Sequence, residues 1–308
     1  MSVINVNKSS GKKPVIIVTG CSSGIGLELA KKLYPIKSHR TVITVRKASL
    51  AEISARFPDT DTFLVRELDV TDDVMIYSLI QEISCAWGRI DTLVNNAAVC
   101  FRAVVEHMDV ESELLQLKTN YLGPMALTRA VLPIMREQRC GQILNVSSVS
   151  GMLAMPTMGS YSASKHALEA ASEALWYEAR PFGIRVNLVQ LGFVNSSSFK
   201  RVLLSKKAGV SLALGGPHSE YYRSMTPMIE RLMSLSITSS EAIAEKILKL
   251  VRKPSQKLMI PLTPDAFLFS LLKKIVPTFI FQRLLYYFLP GSVKWGGQWK
   301  AADKATAA

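Results

Sequence analysis

The chain has 308 residues, 48% of them hydrophobic and 20% charged, which excludes a disordered segment and suffices for a sizeable core. Its formal net charge of +13 admits a nucleic acid, an anionic cofactor or an anionic membrane surface as partner; no recognised nucleic-acid motif or interleaved aromatic patch accompanies the charge, so nucleic acid is set aside. Cys21, Cys85, Cys100 and Cys140 form no C-x-x-C pair and no zinc spacing with the four histidines, which predicts reduced thiols in a cytoplasmic protein and no metal site.

Met1 to Lys13 is polar and lacks the apolar run of a secretory signal, so residues 1–13 are expected to be an uncleaved lead. From Pro14 onward short β-branched runs alternate with helical stretches, the rhythm of parallel strands joined by crossover helices. The runs Val15–Val18, Thr41–Val45, Thr62–Glu67, Thr92–Val94, Gln142–Val146, Arg185–Val189 and Lys257–Ile260 predict seven strands of one α/β, doubly wound sheet with helices on both faces. Helices are predicted over Ile25–Tyr34, Asp72–Trp87, Asn120–Arg136, Tyr161–Arg180 and Ser240–Val251. No linker divides the chain, so one catalytic domain is expected over 14–264. Within it, residues 193–238 interrupt the rhythm, and a long connection inside a compact domain is usually a lid or binding loop. Met225, Met228, Leu232, Met233 and Leu235 give that lid adaptable apolar side chains suited to a lipophilic substrate, or equally the packed face of a helix.

Three short motifs carry the chemistry. Thr19-Gly20-Cys21-Ser22-Ser23-Gly24-Ile25-Gly26 follows the first strand and opens a helix, the place where glycines let the backbone approach a pyrophosphate against the positive helix end. Tyr161-Ser162-Ala163-Ser164-Lys165 puts a phenol and an ammonium on one helical face, and a nearby cation favours the phenolate, bringing its proton exchange closer to neutral pH. Asn145-Val146-Ser147-Ser148 ends the fifth strand, where the crevice of an open α/β sheet lies. Of its two serines, Ser147 suits a cap on the following turn better, which leaves Ser148 to face the crevice.

In this order, with Asn95-Asn96-Ala97 between them, these motifs resemble the short-chain dehydrogenase/reductase family over about residues 14 to 260. The resemblance implies a Rossmann sheet, an oxidoreductase, Tyr161 as general acid/base, Lys165 as the residue that orients the nicotinamide ribose, and Ser148 as the hydrogen-bond partner of the substrate oxygen. It implies that Asn120 holds a water of the proton relay, that Asp69 and Val70 flank the adenine, that Asn96 and Ala97 line the cofactor, and that Val194 and Ser196 meet the carboxamide. Two departures stand out. Ala98 replaces the usual glycine, and Leu191-Gly192 replaces Pro-Gly, so the turn under the nicotinamide is expected to be less constrained. Thr44-Val45-Arg46-Lys47 at the end of the second strand holds no acid to accept from a ribose 2′-hydroxyl, which predicts NADP, with Arg46 on the 2′-phosphate and NAD as the alternative.

A shorter likeness, in Gly20 to Leu27 and around Arg46, resembles the retinol dehydrogenase and 17β-hydroxysteroid dehydrogenase branch, and implies a small lipophilic alcohol, ketone or aldehyde of lipid metabolism. A 3-oxoacyl thioester reductase is the enzymatic alternative, and a nucleotide-sensing protein without turnover is the alternative from another class. Self-association into a homo-oligomer is expected. The extension over 265–308 is strongly apolar from Asp265 to Leu289, yet Lys273-Lys274 and Pro277 interrupt it, so it does not suit a spanning helix. Nine basic residues against the single acid Asp265 between Lys249 and Lys300 predict a peripheral element resting on an anionic membrane surface.

Overall fold

A computed structural model of the chain describes residues 13–195 and 202–295. In chain order the elements are β1 Val15–Val18, α1 Gly24–Leu33, β2 Arg40–Val45, α2 Lys47–Arg56, β3 Phe63–Glu67, α3 Asp73–Trp87, β4 Thr92–Asn95, β5 Phe101–Arg102, α4 Val110–Leu117, α5 Gly123–Gln138, β6 Gly141–Val146, α6 Gly159–Ala179 and β7 Ile184–Gln190. There follow β8 Leu203–Leu204, α7 Lys206–Leu214, α8 Ser219–Ser234, α9 Ser240–Arg252, β9 Met259–Pro261, α10 Pro264–Ile275 and α11 Thr278–Phe288.

Seven strands form one parallel sheet in the order β3-β2-β1-β4-β6-β7-β9. Successive side chains of a strand point to opposite faces, and β1 shows both faces buried. Ile16 and Val18 join one apolar cluster with Leu29, Leu33, Ile243 and Ile247, from α1 and α9. Val15 and Ile17 join another with Ile76, Ile80, Leu127, Val131 and Leu175, from α3, α5 and α6. A strand covered on both sides reads as a continuous apolar run, which is why VIIV is legible as a strand. The order reverses between β1 and β4, and at that switch point the carboxyl ends of the strands open a crevice.

All seven predicted strands are present, with ends moved by one or two residues. The predicted helix from Asn120 starts instead at Gly123, because residues 118–122 form a wider π-helical turn that holds Asn120. Among the described residues of 193–238, α7 and α8 are helical, and β8 pairs with β5 in a small separate sheet. Met225 and Ile229 of α8 are buried with Leu289 and Trp295 of the extension, so those methionines are in part the packed face of a helix.

Candidate functional site

The glycine-rich turn occupies the crevice between β1 and α1. Gly20 and Gly24 have φ of +71° and +54°, the left-handed region that favours glycine. A Cβ on Gly26 would collide with the Gly20 carbonyl and lie 2.6 Å from Asn96 Nδ2, whereas one on Gly24 would meet nothing within 4 Å. The turn is thus closed on its protein side and open on the other, above the N-terminus of α1, as a pyrophosphate requires. Ser22, Ser23 and Ile25 are half-buried around it.

Thr19, a motif residue with no assigned role in the sequence, locks this turn to the end of β4. Its Oγ1 accepts from the backbone N–H groups of Asn96 and Ala97 at 3.0 and 3.1 Å. Asn96 Nδ2 returns bonds to the carbonyls of Thr19 and Gly20 at 2.9 and 3.1 Å. Arg46 is exposed at the end of β2. After β3, the carboxylate of Asp69 accepts from Thr71 N–H and hydroxyl at 2.9 and 2.7 Å, and Val70 is buried where a Cβ on Gly123 would strike its carbonyl. Val194 is buried after β7; Ser196 lies outside the described residues. The strand ends therefore bring together segments from 20, 46, 69, 96 and 194 along one edge.

Ser148, Tyr161 and Lys165 meet beside this edge. Tyr161 is half-buried on α6, with Lys165 Nζ 5.8 Å from its ring centroid. Lys165 is buried and donates to the Val146 carbonyl at 3.0 Å. Ser148 Oγ accepts from Ser150 N–H at 3.2 Å and caps the short 3-10 turn 149–151. The capping role expected of Ser147 thus falls to Ser148, while Ser147 donates to Glu169 Oε1 at 2.7 Å.

The electrostatics differ from the sequence expectation. Burial raises the phenol of Tyr161 above the ordinary tyrosine value, the adjacent Cys100 adds to the rise, and a hydrogen bond with Ser148 opposes both. Burial lowers Lys165 to about 8, against the opposing pull of Glu169. Desolvation disfavours whichever form is charged, and it dominates at both groups. Cys100 itself is pushed up to about 12 by burial and stays a thiol at neutral pH.

Asn120 is fully buried, and its amide is engaged at both ends. Nδ2 donates to the Val99 carbonyl at 2.9 Å and to Ser164 Oγ at 3.0 Å, and Oδ1 accepts from Val99 N–H at 2.9 Å. It clamps α6 to the chain leaving β4.

Three further residues build the site without a local sequence signal. Glu169 lies beneath the Ser148 turn. Asp265 accepts from Phe193 N–H at 2.6 Å and occupies the space a Cβ on Gly192 would need. Lys273 of α10 donates to the Met152 carbonyl, and Val149 and Met152 pack on Ala266 and Phe269 of the same helix. Part of the extension is therefore a wall of the site. The start of α8 is tied to residues 105–107 by Glu106, whose Oε2 lies 2.7 Å from His218 Nε2.

The short chain dehydrogenase family model matches residues 14–207. An uncharacterized oxidoreductase of Bacillus subtilis is 36% identical over 215 residues, 68% of this chain and 74% of the relative. A 3-ketodihydrosphingosine reductase of Bacteroides thetaiotaomicron is 37% identical over 184 residues, 59% of this chain and 64% of that protein, so the likeness there leaves over a third of the relative uncovered. The crystal structure of a short-chain dehydrogenase from Streptomyces avermitilis superposes with a TM-score of 0.74 at 28% identity, covering 90% of this chain and 98% of the other. The phosphate-ready turn, the Ser148, Tyr161 and Lys165 cluster and these matches agree, and the chain belongs to the short-chain dehydrogenase/reductase family of NAD(P)-dependent oxidoreductases.

Proposed function

We propose that the protein uses NADP(H) to interconvert a lipophilic alcohol and its carbonyl, drawn from an anionic membrane surface. The carrying observation is an apolar cluster in which the half-buried Met155, Phe193 and Met228 pack with Met225, Ile229 and Leu289, where the segment after β7 meets the extension. Adaptable, half-buried apolar side chains of this kind suit a greasy substrate. The Bacteroides relative is named for a ketone of a sphingoid lipid, which supports the same class.

When bound, the nicotinamide supplies or accepts the hydride. This chain's own residues do the rest. Ser148 holds the substrate oxygen, and Tyr161, a phenol at neutral pH, donates its proton to that oxygen in reduction. Lys165 orients the ribose and holds positive charge near Tyr161. With its side chain committed to Val99 and Ser164, Asn120 would hold a relay water through its main chain. Arg46 would meet the 2′-phosphate, Asp69 and Val70 would flank the adenine, Asn96 and Ala97 would line the cofactor, and Val194 and Ser196 would meet the carboxamide.

The membrane part rests on the other face of the extension. Phe267, Ile275, Phe279, Tyr287 and Phe288 are 61 to 82% exposed, with Lys274 and Arg283 among them. Among the described residues no helix is long and apolar enough to cross a membrane. Aromatics with a cationic border suit the interface of an anionic bilayer.

The test is turnover with NADPH and NADH on long-chain ketones, retinal, a steroid ketone and an acetoacetyl thioester. NADPH with a long-chain or polycyclic carbonyl is expected; preference for the thioester would overturn the lipophilic assignment. Full-length protein should sediment with anionic vesicles at low salt and not with neutral ones, and F279D/F288D should abolish this without loss of turnover on dispersed substrate. Absence of wild-type sedimentation would remove the membrane from the reading.

A further inference from the structure

Beneath the Ser148 turn lies a carboxylate that the assigned chemistry leaves unused. Glu169 is 8% exposed and stands one helical turn after Lys165, on the same face of α6. Its Oε1 accepts from the Ser147 hydroxyl at 2.7 Å, and Gln190 Nε2, at the end of β7, reaches Oε1 and Oε2 at 3.2 and 3.1 Å. A Cβ on Gly151 would collide with Oε1, so glycine lets the turn bearing Ser148 close over the carboxylate. One side chain thus joins the ends of β6 and β7, the Ser148 turn and the Lys165 helix.

A buried carboxylate is costly unless it is paired. A glutamine could accept the Ser147 hydrogen bond without that cost, and Gln190 Oε1, buried with no partner, could turn to meet its amide. Burial raises the Glu169 carboxyl above the ordinary carboxylate value, and the hydrogen bonds from Ser147 and Gln190 oppose that rise, followed by the charges of His166 and Lys165. The titratable groups that face it from α6 are thus Lys165 and His166, and Lys165 in turn faces Cys100, which stays a thiol. The β6 end and β7 contribute the neutral donors Ser147 and Gln190.

We propose that Glu169 is a positioning residue of the active site, whose carboxylate pins the Ser148 turn against α6 and serves as the counter-charge that keeps Lys165 an ammonium. The inference rests on the roles proposed above for Ser148, Tyr161 and Lys165.

E169Q removes the charge and keeps the shape; E169D keeps the charge and shortens the reach. Lysine side-chain 13C NMR of the unliganded full-length protein, assigned with K165M, follows Lys165 directly. In E169Q its titration should move down by roughly 1 pH unit, the scale of a lost neighbouring charge. The alkaline limb of kcat should move the same way, with kcat about tenfold lower and KM little changed, on the order of a lost catalytic orientation. E169D should restore the limb and part of kcat. An unchanged Lys165 titration in a folded E169Q would overturn the proposal. Should E169Q not fold, E169D decides, since wild-type kcat there would show that the reach to Ser147 does not matter. The NMR titration needs neither cofactor nor substrate. A wild type that reduces none of the carbonyls tried would sink the proposed function and leave Glu169 to be judged on the lysine alone.

Discussion

The carboxylate of Asp265, in the first turn of α10, accepts the backbone N–H of Phe193 at 2.6 Å, and Thr263 Oγ1 takes that of Gly192 at 2.9 Å. The loop leaving β7 is thus held by the start of the extension. Leu191-Gly192 lacks the proline that would stiffen this turn locally, and the expectation of a looser turn is corrected by a tertiary clamp. A charge-assisted hydrogen bond contributes about 1.5–3 kcal/mol, so Asp265→Ala should destabilise the protein by about 2 kcal/mol and weaken NADPH binding on the order of tenfold. Asp265→Asn should keep much of both. Melting and NADPH fluorescence titration read the two effects, and unchanged NADPH affinity in the alanine variant would show that the loop needs no clamp.

Tyr161→Phe removes one hydroxyl from a half-buried side chain of α6. NADPH should still bind, and reduction should fall by a factor of about 10² or more, the scale of general acid catalysis. A phenylalanine variant with near-normal turnover, on a substrate the wild type reduces, would show that the proton comes from elsewhere.

Lys165 carries a stability signature with a definite sign. Its folded value of about 8 lies below the ordinary lysine value of 10.5. Between those pH values the unfolded chain binds the extra proton, so stability rises with pH there and is flat below about 8. Relative to Lys165→Met, the wild type should gain about 3 kcal/mol between pH 8 and 10.5. Denaturant melts of both proteins across that window check it. A difference that does not change with pH would mean that the buried amine is not desolvated as its surroundings imply.

Arg46 is exposed at the end of β2 and free to meet a phosphate in solvent. Arg46→Asp replaces attraction by repulsion and should weaken NADPH on the order of 10²-fold while leaving NADH within a few fold. Equal loss for both cofactors would assign discrimination to another residue.

The legible parts of this protein share one property, that their cause is local. β1 is visible in the sequence because both its faces are buried, which forces four apolar residues in a row. The phosphate turn is visible because positive φ and close approach at Gly20, Gly24 and Gly26 demand glycine, and Tyr161 and Lys165 because a helix places i and i+4 on one face. Asn120 shows the limit: its residue type was readable, but the π-helical turn that aims it at Val99 was not, since nothing in Lys118–Leu122 signals the wider turn. Ser147 and Ser148 were likewise visible as a pair, while their division of labour depended on Glu169.

The sequence by itself determined the strands, the glycine-rich turn, the Tyr161 and Lys165 pair and the serines at the end of the fifth strand, because each of these is written in residues within a few positions of one another. Tertiary structure alone decided what restrains and tunes them. Glu169 meets Ser147 across 22 residues and Asp265 meets Phe193 across 72, and burial, which pushes Tyr161 up and Lys165 down, exists only once α6 has packed against the sheet.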